Sequence, residues 1–363
     1  MLEKKVVKLV AIMLVSCMVL MCTALFYLPE LRGAVGDLIH RNDTSRFSME
    51  QLFGGEAVLV PKDVEAVDED LSEVESHIEK RLAFDLPDGV KATDISITND
   101  YLTRTITMAI PRADESYFNS RPLSGSSLHI EEISTEPGPI QGTIEIHTDK
   151  VYELSCYYTD TTLYMDFVDP HEVYDYVVVI DPGHGGRVPG TVKGGYSEKD
   201  INLAIALELR AALMKSDLNI GVYCTRTDDT NPDFPERVAL ANESDADVFV
   251  SIHNNSMAGR GRATTKGVEA LYNEEDASGQ SLALATLLQD YVSVEAGAVN
   301  RGVVKGADIY VVRNCNVPAT LVEVGFMTHG DELKKLASAQ YQWQVGQALC
   351  HGIEDWLLNK EKK

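Results

Sequence analysis

The stretch VVVIDPGHGG, from Val177 to Gly186, runs four β-branched apolar residues straight into a turn of one aspartate, one proline, three glycines and a histidine. Such a run predicts a strand buried on both faces, ended sharply by Asp-Pro-Gly. His184 is then left at the carboxyl end of that strand, the edge where ligands bind in open α/β sheets, and the flanking glycines keep side chains out of the way. A histidine that only bonds its own turn would look the same, so the reading depends on partners.

Around this strand the pattern alternates. Strands are expected at Tyr176 to Ile180, Ile220 to Cys224, Val248 to His253, Gly267 to Tyr272, Ile309 to Val312 and Ala319 to Val324. Helical periodicity fills Lys199 to Lys215, Phe234 to Asn242, Ser278 to Ser293 and Ala339 to Leu358. This predicts an α/β domain over 174–360, with a mostly parallel sheet flanked by helices.

His253 repeats the first arrangement, closing the apolar run of DVFVSIHNNS. Glu198 follows Ser197, and Ser197 with Asp200 reads as a capping box that opens the next helix. An acid there also complements the helix dipole. Two histidines from strand ends and one glutamate make the N,N,O set that a catalytic zinc accepts, with a position left for water. Glu323, flanked by valines in ATLVEVGFM, is a carboxylate where the pattern wants an apolar residue. Burying it unpaired is costly, which suits a general acid and base, although an ion pair within the sheet would also explain it.

Upstream, 89–170 switches to a period of two, seen at Ile95 and Ile97, at Ile106, Met108 and Ile110, and at Leu163, Met165 and Phe167. That predicts a small antiparallel β domain with a binding or spacing role, wall-binding if the chain acts on a wall. The segment 29–88 reads as an acidic stalk or linker: Asp63 to Glu79 holds eight carboxylates and no Lys or Arg. Its apolar residues, from Val64 to Ile78, also fit an amphipathic helix. Residues 1–28 place Lys4, Lys5 and Lys8 before twenty uncharged residues, Leu9 to Leu28, which predicts a transmembrane signal anchor with the catalytic domain outside the cytoplasm. A cleaved signal peptide, and so a secreted protein, is the alternative.

With 56 acidic against 32 basic residues the net charge is -24, which excludes non-specific nucleic-acid binding. The basic loop Asn254 to Gly267, carrying Arg260, Arg262 and Lys266 and no acid, stands out against it as a candidate anion trap. None of the six cysteines forms a C-x-x-C pair, so a thiolate zinc cluster is not expected. Cys315, in RNCNVP, is the one candidate nucleophile.

Taken in order, IDPGHGG, SEKD, TRTDD, ERVALAN, ADVFVSIHNN, GVEALYN, NRGVV and PATLVEVGFMTHGDE resemble the zinc-dependent N-acetylmuramoyl-L-alanine amidases of the Amidase_3 family. The likeness spans about Val177 to Ile353. It implies Zn2+ held by His184, Glu198 and His253, Glu323 as the catalytic glutamate, peptidoglycan as partner, and cleavage of the amide between the lactyl group of N-acetylmuramic acid and L-alanine. A protein activator stays open. The loop RVPGTVKGGY and His329 depart from the family's usual pattern. The alternatives are a catalytically silent wall-binding or regulatory module, which the presence of Glu323 disfavours, and a cysteine-dependent hydrolase built on Cys315.

Overall fold

The computed structural model describes residues 57–59, 65–66, 80–120, 123–257 and 264–360. The alternation upstream of residue 170 folds into two five-stranded sheets packed face to face. One carries, in spatial order, Ala57–Leu59, Ser96–Asp100, Thr105–Pro111, Gln141–Thr148 and Ile130–Glu136, all antiparallel. The other runs Glu65–Ala66, Glu153–Tyr158, Thr162–Val168, Lys80–Asp85 and Ser124–Ser127, with only the first pair parallel. Every second residue of Thr105–Pro111 and Thr162–Val168 is buried. These residues meet as one core of Ile97, Met108, Ile146, Phe84, Met165 and Phe167. Three of the strands, Ala57–Leu59, Glu65–Ala66 and Lys80–Asp85, come from the stretch read as a stalk.

The catalytic half is built on strands β1 (Tyr176–Pro182), β2 (Ile220–Cys224), β3 (Val248–Asn255), β4 (Val268–Tyr272), β5 (Asn300–Lys305) and β6 (Ala319–Phe326). Its helices are α1 (Glu198–Leu213), α2 (Phe234–Glu243), α3 (Gln280–Glu295), α4 (Tyr310–Asn314), α5 (Gly330–Leu336) and α6 (Ala339–Lys360). The sheet order is β2-β1-β3-β6-β4-β5. All seven residues of β1 are buried, as expected of a central strand between two helical layers. One layer is α1, α3, α5 and α6, through Ile205, Leu288, Leu336 and Leu349; the other is α2 and α4, through Val238 and Val312.

The expected mostly parallel sheet is corrected to a mixed one. β1, β2, β3 and β6 run together, but β4 is antiparallel to β6 and β5 follows β4. The cause is the link after β3. A parallel return needs a crossover, usually a helix. Residues 256–267 include none among the described ones, so β4 starts at the end of the sheet where β3 stops. Two further readings change. The run Ile309 to Val312 is not a strand but enters α4, burying Val311 and Val312, because a short apolar run cannot by itself separate strand from helix. β5, largely exposed and lacking alternation, was not anticipated.

The expected transmembrane anchor is also corrected. Among the described residues no helix is long and apolar enough to cross a membrane. The segment that suggested one, Leu9 to Leu28, lies outside the described residues, as does most of the acidic run. The single-pass membrane placement and the membrane contact are withdrawn.

The sandwich meets the catalytic half at the end of α2 and along β2. The Val151 N–H donates to the Glu243 carbonyl at 3.2 Å. Glu153, half-buried at this seam, accepts hydroxyl hydrogen bonds from Tyr101 at 2.9 Å and from Tyr223 of β2 at 2.6 Å, and a third from Tyr174.

Candidate metal centre

β1 delivers its chain to the site through Asp181 and Pro182. Asp181 is buried, and burial alone would raise its pKa. The Arg237 guanidinium and the hydroxyls of Thr225 and Ser251 outweigh that and hold it below the usual range. His184 follows with φ of 63°, a left-handed conformation that costs a non-glycine residue free energy. Two buried arginines hold it there. Arg226 donates to the carbonyls of Pro182 at 2.9 Å and Gly183 at 2.9 Å. Arg237 donates to those of Pro182 at 2.9 Å and His184 at 2.9 Å. Burial and the neighbouring Arg237 pull the Arg226 pKa down to about 10, which leaves it charged at neutral pH. Outside the loop, Lys199 bridges the Gly186 carbonyl at 3.0 Å and Asp229 at 2.6 Å.

Glu198 is the first residue of α1, where the exposed N–H groups favour an anion. Ser197 is the N-cap, yet its side chain makes no capping bond, so the expected capping box is absent. The reciprocal pair forms instead at α2, between Asp233 and Glu236. The Glu198 carboxylate faces inward. Its Oε2 accepts the Thr191 N–H at 2.8 Å, and its Oε1 lies 3.0 Å from His184 Nε2, 3.0 Å from His253 Nδ1 and 3.2 Å from the Asn254 N–H. Burial would raise its pKa, but the two imidazoles and the Thr191 N–H hold it well below the usual carboxylate range. Asn254 is fixed in turn by Asn202 at 2.7 Å, on the inner face of α1.

One ligand atom from each of His184, Glu198 and His253 lies within 4.8 Å of the others. The side chains are 26%, 6% and 19% exposed, so the two histidines reach solvent while Glu198 is covered. Glycines allow this convergence. A methyl group at Gly183 would land on the His253 imidazole, and one at Gly190 would press on Glu198 and His184. Two imidazole nitrogens and a carboxylate oxygen, all near-neighbours, suit a divalent transition-metal ion.

Glu323 lies beside them. It is in register with His253 on the adjacent parallel strand and with Glu269 on the antiparallel one. Its Oε2 is buried without a hydrogen-bond partner. Burial, together with the Glu198 and Glu269 charges, pushes its pKa up to about 8. The carboxyl thus stands in register with a residue of the triad, with one oxygen buried and unpaired.

The other predicted candidates separate. Cys315 is buried, not exposed, and burial pushes its thiol far above its ordinary value, which removes the cysteine-hydrolase alternative. Cys156, Cys224, Cys315 and Cys350 are all free thiols. Arg260 and Arg262 lie outside the described residues, while Lys266 is exposed. His329, one of the departures from the family pattern, caps α5 by accepting the Glu332 N–H at 3.3 Å. Sequence reasoning missed the supporting layer of Asp181, Arg226, Arg237 and Asn202. The available signal was an arginine in ERVALAN on the apolar side of α2, beside buried Val238.

Comparison with known proteins gives one family model over residues 178–355, that of N-acetylmuramoyl-L-alanine amidase. YqiI of Bacillus subtilis strain 168, an uncharacterized protein, is 36% identical over 179 residues, 49% of this chain and 84% of that one. LytC of the same strain, an N-acetylmuramoyl-L-alanine amidase, is 33% identical over 175 residues, 48% of this chain but only 34% of LytC. Among solved structures, an N-acetylmuramoyl-L-alanine amidase from Clostridium difficile 630 aligns with a TM-score of 0.48 and 37% identity, covering 51% of this chain and 98% of that one.

Proposed function

Because the chain belongs to the Amidase_3 family and is a peptidoglycan amidase, we propose that His184, Glu198 and His253 hold a zinc ion and that Glu323 moves the protons of the reaction. The bond cut is the amide between the lactyl group of N-acetylmuramic acid and L-alanine. The observation that carries this reading is the orphaned Oε2 of Glu323 beside a converged N,N,O triad. When bound, zinc supplies Lewis-acid polarisation of the lactyl carbonyl and brings the pKa of water to about 7.

The chain's own residues do the rest. Arg226 and Arg237 keep His184 in its strained conformation, so the site is organised before substrate arrives. Glu323 takes a proton from the attacking water at Oε2. It returns that proton to the alanine nitrogen as the carbon–nitrogen bond breaks, leaving a lactyl carboxylate and a free amine.

The test is digestion of purified peptidoglycan by the full chain, before and after dialysis against a chelator. New amino-terminal alanine without new reducing sugar ends is expected, lost on chelation and restored by zinc. Cleavage of glycosidic bonds, or activity indifferent to chelation, would overturn the reading.

A further inference from the structure

The row that contains Glu323 continues beyond it. Glu269 of β4 stands next in register, and its Oε1 accepts the Asn255 side-chain N–H at 2.9 Å. Its Oε2 accepts from Arg301 Nε of the edge strand β5 at 2.8 Å. The Arg301 guanidinium also lies over the ring of Phe326, 5.0 Å from its centroid. It is therefore fixed on one edge and one face. Among the described residues neither of its Nη groups has a hydrogen-bond partner, and its side chain is 35% exposed. GVEALYN and NRGVV, the segments that supply Glu269 and Arg301, contribute none of the three candidate metal ligands.

We propose that Arg301 is a carboxylate-binding residue that recognises the stem peptide. This rests on the amidase reading above and adds the part of the substrate that is gripped. A guanidinium held through Nε presents its Nη edge as a planar two-pronged donor, the geometry that matches a carboxylate. Neighbouring strands lie about 4.8 Å apart, so Arg301, two strands from Glu323, stands about 10 Å along the row. An extended peptide covers that distance in roughly three residues. With the alanine nitrogen at Glu323, a carboxylate on the next stem residue comes within the span of the long arginine side chain. The stem peptide then runs across the sheet from β6 toward β5. Glu269 orients Arg301 and leaves the pair neutral, so binding is directional and not a general attraction of anions.

The experiment uses two soluble substrates, N-acetylmuramoyl-L-alanyl-D-glutamate with a free α-carboxylate and its α-carboxamide. The parent chain should favour the carboxylate in kcat/KM by on the order of 10- to 100-fold, the scale of a charge-assisted hydrogen bond. Arg301→Gln should bring that ratio close to one, and Arg301→Lys should restore part of it. An Arg301→Gln chain that keeps the parent's ratio, or a parent that shows no preference, overturns the carboxylate site and leaves the amidase reading standing. A parent that cleaves neither substrate overturns both.

Discussion

The guanidinium of Arg237 meets the carboxylate of Asp181 at 2.6 Å, with the two side chains 3% and 2% exposed, and the same group holds the carbonyl of His184. Fold stability and ligand geometry thus share one buried pair. Arg237→Met should cost about 3–5 kcal/mol, because it leaves Asp181 buried and charged. The loss should be largely relieved in the double variant Asp181→Asn with Arg237→Met, while metal affinity stays low in both. Denaturant unfolding and zinc titration measure the two effects; a single variant as stable as the parent would remove the pair from the argument.

Glu323→Gln changes one atom and removes the proton acceptor. It should keep zinc stoichiometry and the fold while lowering kcat by on the order of 10² to 10⁴. Turnover at the parent rate by a zinc-loaded variant would take Glu323 out of the mechanism.

The same residue predicts a pH dependence in the metal-free chain. Its folded pKa, about 8, lies above the ordinary 4.5, so the folded state holds the proton more tightly than the unfolded one. The stability it contributes is complete below about pH 4.5 and is lost as pH rises through about 8. The Gln variant carries no such loss. Between pH 5 and pH 9 the unfolding free energy of Glu323→Gln should gain on the parent by on the order of 2–4 kcal/mol. A constant gap in parallel urea titrations would show that burial and the charges of Glu198 and Glu269 do not act on it.

Gly183→Ala puts a methyl group on the imidazole of His253, whereas Gly330, at the start of α5, has open space around its missing side chain. The first change should weaken zinc binding by roughly 10- to 100-fold. The second should leave zinc affinity at the parent value. Calorimetric titration of both variants decides it; equal affinities would mean that the His253 ring relocates freely.

His184, His253 and Glu323 stood out in the sequence because a polar group at the end of, or inside, an apolar strand breaks a local pattern, whereas Glu198 stood out only as an acid at a helix start. That the three candidate ligands share one site follows from the sheet order, which local pattern does not contain. The sheet's direction at β4 was hidden for the same reason, being set by where the link after β3 ends and not by the residues of β4. Asp181 reads as turn chemistry and Arg237 as an ordinary helical charge until they meet. The Ser197 box does not form, and the first two N–H groups of α1, of Glu198 and Lys199, go instead to the carbonyls of Thr191 and Pro189. Tertiary contact displaced the local signal there.

The seam at Glu153 sets the terms on which the two halves can be exchanged. A carboxyl that accepts from Tyr101, Tyr174 and Tyr223 is satisfied only when phenols from the sandwich, the connecting segment and β2 arrive together. Grafting the catalytic half onto a foreign carrier therefore strands the Tyr223 hydroxyl beside apolar surface unless the carrier supplies an acceptor at that place. The interface behaves as a keyed joint, and any chimera of this enzyme must carry both the acid and its three donors, or neither.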